Sequence, residues 1–506
     1  MSLRRIFQML ASFFTGQGVS ILTQLLVPPF FLHRYAHGIE VYGEWIALSA
    51  AVSYLGSLNY GIQTYANNEI TILYNRGEVE AAKGVQASAL RLLLSIIGVV
   101  GLAGTGVLFL PVSRWLHLHH VSEREASITL YLLILQVLTN MMFSLLSYSY
   151  MVVGRMHRGL NWLNFQRMLS VLLLSSCVWF RAAFPVLALA QLAAIAVGTS
   201  LVLLDLRSVA PILLPSLRYG SWRQVRSILA PSGHFGLLAV AGFLTWQGPV
   251  LLIQEILGPA SVAIFSLARV VFAMGRQALS ILSFSISQEI THLTGQQNWA
   301  QLKRLYDLSE KVVLLLIPLF SVGILLLSPV LFTVWLHKRS LYDPSLCFMM
   351  ALVSAVMGIK EHKSQFQSSS NEHEKLAVFA LGSYAVTLLI SAFLLKPFGI
   401  LGFMFMWLAA EAAQTFYILR LNVELFPREM KISMAPVMRL AWALAVFFAI
   451  AAWPAFASAH WPLGMVAAVA VAITLMITVA SYYAFGVNQV RSVLESRLRR
   501  RLVPSV

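Results

Sequence analysis

From about residue 9 to residue 485 the sequence is a near-unbroken succession of apolar runs of roughly 20 residues, separated by short polar breaks. A helix of that length crosses about 30 Å of hydrocarbon. Lipid offers a peptide group no hydrogen-bond partner, so each run is expected to satisfy its backbone internally as an α-helix. Only 11% of residues are charged and 58% are hydrophobic, whereas soluble domains are about one quarter charged. The expected fold class is therefore an all-α polytopic membrane protein with about 14 transmembrane helices. The first six spans fall near 9–33, 42–64, 87–112, 127–153, 162–182 and 184–204. Six more fall near 232–257, 260–288, 311–336, 345–366, 375–396 and 398–420, and two near 436–457 and 461–485.

The spans repeat. Glu69-Ile70-Thr71-x-Leu73 returns as Glu289-Ile290-Thr291-x-Leu293, and Trp115-Leu116-His117 returns as Trp335-Leu336-His337, both 220 residues later. Gly16 and Gly236, and Pro29 and Pro249, share the offset. Trp, His and Glu are scarce in this chain, so two separate matches at one spacing point to a duplication. The offset maps spans one to three onto seven to nine, giving two pseudo-symmetric six-helix lobes plus a C-terminal hairpin. Six is even, so the lobes share one orientation, and paired halves in a membrane chain usually mean a transporter. The expected domains are an N-terminal lobe (1–208), a cytoplasmic interfacial linker helix (209–231), a C-terminal lobe (232–422), and a terminal hairpin with a basic cytoplasmic tail (423–506).

Basic residues set the orientation. With both termini in the cytoplasm, 27 of the 36 Lys and Arg fall in cytoplasmic loops and tails, 7 on the opposite side, and Arg269 and Arg276 inside a span. The net charge of +16 is thus spread along one membrane face, which argues against nucleic acid as a partner. Arg497, Arg499, Arg500 and Arg501 are expected to rest on anionic membrane lipids. Arg4 and Arg5 ahead of an apolar run imitate a signal peptide, but no small-x-small cleavage site follows. The two cysteines, Cys177 and Cys347, fall within spans and imply neither disulfides nor a metal centre. In the break between the lobes Leu214, Leu217, Trp222, Val225 and Ile228 share a helical face, suiting a helix laid in the interface. No Gly-Lys pair occurs, which excludes a P-loop. No catalytic residue, metal or cofactor is expected.

Function must then lie in the polar groups that the spans retain. Arg269 and Arg276, seven residues apart, project from one side of span eight. Arg269 lies roughly 13 Å below a span entry near residue 260. A guanidinium there needs water, a carboxylate or an anionic ligand, so the pair reads either as a cationic strip for a phosphate-bearing cargo or as structural arginines. Gln17, Ser20 and Gln24 form a stripe on span one, and Asn59, Gln63 and Asn67 form another on span two. Such stripes suit a sugar-lined wall or helix–helix hydrogen bonds. Glu411 is the carboxylate deepest inside a span, placed to couple an ion or proton or to neutralise a buried cation. Lys360, Glu361, His362 and Lys363 are expected at the solvated cytoplasmic end of span ten.

The stretch Gly38-Ile39-Glu40-Val41-Tyr42-Gly43-Glu44-Trp45, with Leu55 and Asn59-Tyr60-Gly61-Ile62 beyond it, resembles polysaccharide transporters of the multidrug/oligosaccharidyl-lipid/polysaccharide (MOP) exporter superfamily. Leu257-Gly258-Pro259-Ala260 leading to Phe265 resembles the head of span eight in the same proteins. The resemblance implies an O-antigen or exopolysaccharide flippase (Wzx type) of the bacterial inner membrane. Such a protein would carry undecaprenyl-diphosphate-linked oligosaccharide from the cytoplasmic to the periplasmic leaflet by alternating access. For such a cargo the polar groups read above from the spans, Arg269, Arg276, Gln17, Gln24, Asn59 and Gln63, are the candidate substrate contacts and Glu411 the candidate ion-coupling residue, although neither arginine matches an invariant position of the family. A glycan polymerase or glycosyltransferase is a candidate partner. A lipid II flippase is the next reading, although its span one usually carries more charge. A multidrug exporter would want an acidic N-terminal lobe, but Asp205, Asp307 and Asp343 all fall in loops. A polymerase or ligase enzyme would need a large extracytoplasmic loop that the spacing does not allow.

Overall fold

The computed structural model describes residues 3–75, 77–209, 211, 214, 216–226, 240–295, 297–370, 372, 374–427, 430 and 432–485. Backbone alone is described for 3–10, 13, 57–65, 68, 72, 75, 281–285, 287–289, 291–292, 295 and 459. Asn59 and Gln63 have their side chains outside this description, and Ile228 and the arginines of the C-terminal tail lie outside it altogether.

The described residues form helices and no strand. In chain order they are α1 (Leu3–Arg34), α2 (Gly38–Asn75), α3 (Val79–Gly104), a single turn α4 (Val112–Trp115), α5 (Glu123–Val152), α6 (Met156–Trp179) and α7 (Phe184–Val209). Then follow α8 (Gly248–Leu257), α9 (Pro259–Gly295), α10 (Trp299–Leu336), α11 (Pro344–Ser369), α12 (Glu374–Phe398), α13 (Ile400–Leu425), α14 (Ala435–Ala457) and α15 (Leu463–Phe485). Residues 240–246 are helical too and complete the span that ends with α8. Among the described residues ten helices are long and apolar enough to cross a membrane. The other four expected spans coincide with α1, α2, α6 and α13, long helices with more polar residues.

The duplication shows in the turns. His117 and His337, which close the two Trp-Leu-His matches, both take positive φ, 46° and 52°. Gly77 and Gln297, again 220 apart, do the same at 84° and 54°. After α2 the amide of Gly77 donates to the Tyr74 carbonyl and that of Glu78 to Leu73; after α9 Gln297 donates to Thr294 and Asn298 to Leu293. A left-handed residue that turns the chain back on the last carbonyls ends each helix. Glycine meets that need at one site, and at the other glutamine adopts it at some steric cost.

Packing divides the chain into two compact units, 1–264 and 265–506, with the boundary inside α9. In the first, α5 packs on α7 and α2, and α1 on α6; in the second, α11 packs on α13 and α10, and α10 on α15. The first repeat and the first unit do not end together, because α8 packs on α2. The Gly38–Trp45 motif explains why. Tyr42 and Trp45 pack on Phe31 at ring separations of 5.5 and 6.2 Å. Gly43 lets the backbone of Pro259 lie directly on α2, where any side chain would collide. The fully buried Glu44 accepts the amides of His119 and His120 at 2.6 and 3.0 Å, closing the turn after α4. Gln254 of α8 reaches the same turn, donating to the Leu116 carbonyl at 2.6 Å.

The connection after α7 is docked rather than merely amphipathic. Ser88 of α3 donates to Gln224 at 3.0 Å and accepts from the Ser221 amide at 3.0 Å, and Arg91 donates to the Leu217 carbonyl. Val225 is buried, while Leu217 and Trp222 are exposed, so those apolar residues do not share one buried face. Replacing Gly43 by Leu is expected to cost about 1–3 kcal/mol by overpacking. A Cβ on Gly56 would meet nothing within 4 Å, so Gly56→Leu is expected to be silent. Thermal unfolding of both variants in detergent checks the contrast.

Candidate functional site

A chain of charged residues runs through the second unit and is organised by α11. That helix continues to Ser369, so Lys360, Glu361, His362 and Lys363 lie within it and not at its solvated end as expected. His362 and Lys363 are each 1% exposed. Successive positions on a helix point about 100° apart, and the four residues therefore address different neighbours.

Lys360 turns toward α13 and α12. Its ammonium lies 2.5 Å from a Glu411 carboxylate oxygen, 2.7 Å from the Tyr384 hydroxyl and 3.2 Å from the Gln414 amide oxygen. Tyr384 and Trp407 donate to the other Glu411 oxygen at 2.6 and 3.1 Å. Gln414 donates to Ser383 at 2.7 Å. Glu411 is wholly buried, and a carboxylate is held there by one cation and two neutral donors. In this structure Glu411 neutralises Lys360.

Lys363 turns to α10, ion-paired with Glu310 and lying 3.9 Å over the Tyr306 ring. His362 meets Ser309 at 2.9 Å. One turn on, Gln367 donates to Asn422 of α13 at 2.7 Å, and Asn422 donates back to the Lys363 carbonyl at 3.1 Å. Gln367 also borders a cavity of about 600 Å³ with Thr294, Trp299, Lys375 and Glu424.

Glu361 turns to α9. It takes Arg276 at 3.1 Å through a single nitrogen–oxygen contact. This pair differs from the other two: Arg276 and Glu361 keep 24% and 25% of their side-chain surface exposed. Arg276 thus has a carboxylate partner on another helix that the local sequence of α9 did not reveal. Arg269, two turns earlier on the same face, sits with its guanidinium carbon 5.4 Å from the Phe265 ring centre, a cation–π contact.

In the first unit Gln17 and Gln24 are half-buried, and Gln24 donates to Ser20 at 3.3 Å. The neighbouring face of α1 is committed to α6, where Asn164 donates to the Ser12 carbonyl at 2.8 Å and crowds Gly16. Asn67 is buried. Two of the three aspartates lie within helices and not in loops as expected, and all are engaged structurally: Asp205 of α7 accepts from Arg158 and Trp162 at 2.8 and 3.0 Å, Asp307 of α10 pairs with Lys303 at 2.6 Å, and Asp343 caps α11. Among the described residues no group of three or more His, Cys, Asp or Glu can hold a metal.

No family model matches the sequence, and no curated protein matches it. Solved structures do match in three dimensions. A structure titled lipid II flippase MurJ, inward closed conformation, aligns with TM-score 0.70 and 10% identity, covering 97% of this chain and 100% of that one. An inward-facing multidrug resistance MATE family transporter of the MOP superfamily aligns with TM-score 0.64 and 13% identity, covering 84% and 94%. The MATE multidrug transporter DinF-BH aligns with TM-score 0.58 and 16% identity, covering 83% and 95%. The chain has an all-helical, multi-pass fold that resembles those of these transporter structures. At these identities what is shared is the fold.

Removing one member of a buried pair strands the other. Glu411→Ala is expected to cost about 3–5 kcal/mol by leaving Lys360 buried beside two unpaired donors, while Lys360→Met with Glu411→Leu recovers most of it. Melting temperatures of the single and double variants in detergent check the ordering.

Proposed function

We propose that this protein is a flippase for a lipid-linked anionic glycan, an undecaprenyl-diphosphate-linked O-antigen or exopolysaccharide unit. It would move that substrate from the cytoplasmic to the periplasmic leaflet of the bacterial inner membrane, with both termini in the cytoplasm, by alternating access of its two six-helix repeats. The observation that carries the reading is the pair Arg269 and Arg276 on one face of α9, deep in an apolar span. A guanidinium matches the geometry of a phosphate, and two on one face, one met by a partly exposed carboxylate and the other by an aromatic ring, offer an anionic ligand a pair of cationic contacts. Half-buried amides on α1 supply the hydrogen-bonding groups that sugars need. The resemblance of the Gly38–Trp45 stretch to polysaccharide transporters supports the glycan.

The apolar hairpin α14–α15 exposes Trp442, Val446, Leu475, Val479 and Tyr483, a surface suited to lipid. The structural alignments are consistent in extent with a flippase fold that includes a counterpart of the terminal hairpin. The lipid II flippase aligns with 97% of the chain, whereas the two MATE structures cover 84% and 83% of it. An organic-cation exporter also wants an available carboxylate, and the aspartates here hold arginine, lysine or a helix end. The same alignment keeps lipid II as the second candidate cargo.

Reconstitution in liposomes separates these readings. Wild-type protein is expected to flip a fluorescent undecaprenyl-diphosphate oligosaccharide faster than it flips lipid II. Arg269→Ala, once shown to be folded, is expected to lose roughly tenfold or more of that rate. Preferential flipping of lipid II would move the assignment to the peptidoglycan precursor, and transport unchanged in Arg269→Ala would demote the arginine to a structural role.

A further inference from the structure

The three ion pairs that α11 makes are unequal, and the inequality has a use. Lys360–Glu411 and Lys363–Glu310 each pair a cation with a carboxylate whose side chain is at most 6% exposed. Glu411 has two further donors, and Lys363 lies on an aromatic ring. Separating such a pair leaves an uncompensated buried charge. Arg276–Glu361 is different. It is joined by one contact although a guanidinium can offer a carboxylate two, both side chains are about a quarter exposed, and the second Glu361 oxygen is buried with no hydrogen-bond donor. It is the one pair of the three in which both partners keep about a quarter of their side-chain surface exposed, so an incoming anion can reach it.

Arg269 stands seven residues earlier on the same face, about 10 Å away along the axis. An arginine side chain extends roughly 6 Å, so two guanidiniums on one face can close on a single diphosphate. We propose that Glu361 is a resident stand-in for the substrate's phosphate: its carboxylate occupies Arg276 in the empty protein and is displaced when a diphosphate headgroup binds Arg276 together with Arg269. This rests on the reading of the arginines given above and adds a residue that sets affinity. The exchange also carries a signal. Once displaced, the Glu361 carboxylate faces an anion of like charge, and α11 is pushed from α9. Because α11 is pinned to α13 by Lys360 and to α10 by Lys363, those helices move with it. Without substrate the Arg276–Glu361 pair holds α9 and α11 together, so the transition is opposed when no cargo is bound.

The test is equilibrium binding of undecaprenyl diphosphate, without sugar, to the full-length protein in nanodiscs at fixed salt. Glu361→Gln removes the competing charge and keeps the shape; it is expected to bind roughly tenfold tighter than wild type, and Arg276→Gln roughly tenfold weaker. In the double variant the gain from Glu361→Gln should vanish, because no Arg276 remains to compete for. Glu361→Asp keeps the charge on a shorter arm. Its expected tightening of about two- to threefold carries the test if the Gln form does not fold. Binding by Glu361→Gln or Glu361→Asp equal to or weaker than wild type, with Arg276→Gln still weakened, overturns the stand-in role and leaves the proposed function standing. If wild type binds no diphosphate lipid, or both arginine variants bind as wild type does, the reading of the arginines fails and this inference falls with it.

Discussion

A charge inside an apolar slab persists only where another charge or a set of dipoles meets it, and α11 carries three in four residues. Each is met on a different helix: Lys360 by Glu411, Glu361 by Arg276, Lys363 by Glu310. These contacts cannot be exchanged for one another by sliding or rotating the helix, so they fix its register within the second unit. A hydrophobic core alone specifies register weakly, since leucine can pack against leucine at many heights. Buried charge does so strongly, because a wrong height strands an ion. Tyr384, Trp407, Gln414 and Asn422 extend the same constraint to α12 and α13.

The first unit is organised by different means. One cluster of its interior is aliphatic and aromatic, with Phe143, Leu146, Tyr150, Val202 and Leu206. Its fixed points are close backbone approaches and capped turns. Gly43 admits Pro259, Glu44 closes the His119–His120 turn, and Gln254 reaches the Leu116 carbonyl. The Gly-Glu pair of the motif is therefore the means by which α2 holds both the turn after α4 and the segment where α8 gives way to α9. A stretch met first as a family resemblance has its own physical account.

The helices and the duplication were legible because both follow from the solvent and from local pattern. Apolar runs must be helices in lipid, and the repeated Trp-Leu-His and Glu-Ile-Thr segments end in matching left-handed turns at His117 and His337, and at Gly77 and Gln297. The charged network was not legible, because its partners are distant in sequence: 53 residues separate Lys363 from Glu310, and 85 separate Arg276 from Glu361. Lys360 to Lys363 looked like a solvated helix end because the apolar run stops there, yet α11 continues to Ser369 and its Phe366 and Gln367 are buried. Glu310 was hidden for a related reason: α10 begins at Trp299, well before its apolar run, so a carboxylate near its start is covered by α11. Arg276 was found by its depth, but its partner Glu361 sits on a helix that sequence could not place beside it.

The two arginines of α9 decide whether the proposed mechanism stands. The most direct measurement is an experimental structure of the protein in nanodiscs with a bound undecaprenyl-diphosphate oligosaccharide. Diphosphate density is predicted within salt-bridge distance of both Arg269 and Arg276, with Glu361 swung off Arg276 and the Lys360–Glu411 and Lys363–Glu310 pairs intact. Substrate density elsewhere, with Arg276 and Glu361 still joined, would contradict that mechanism.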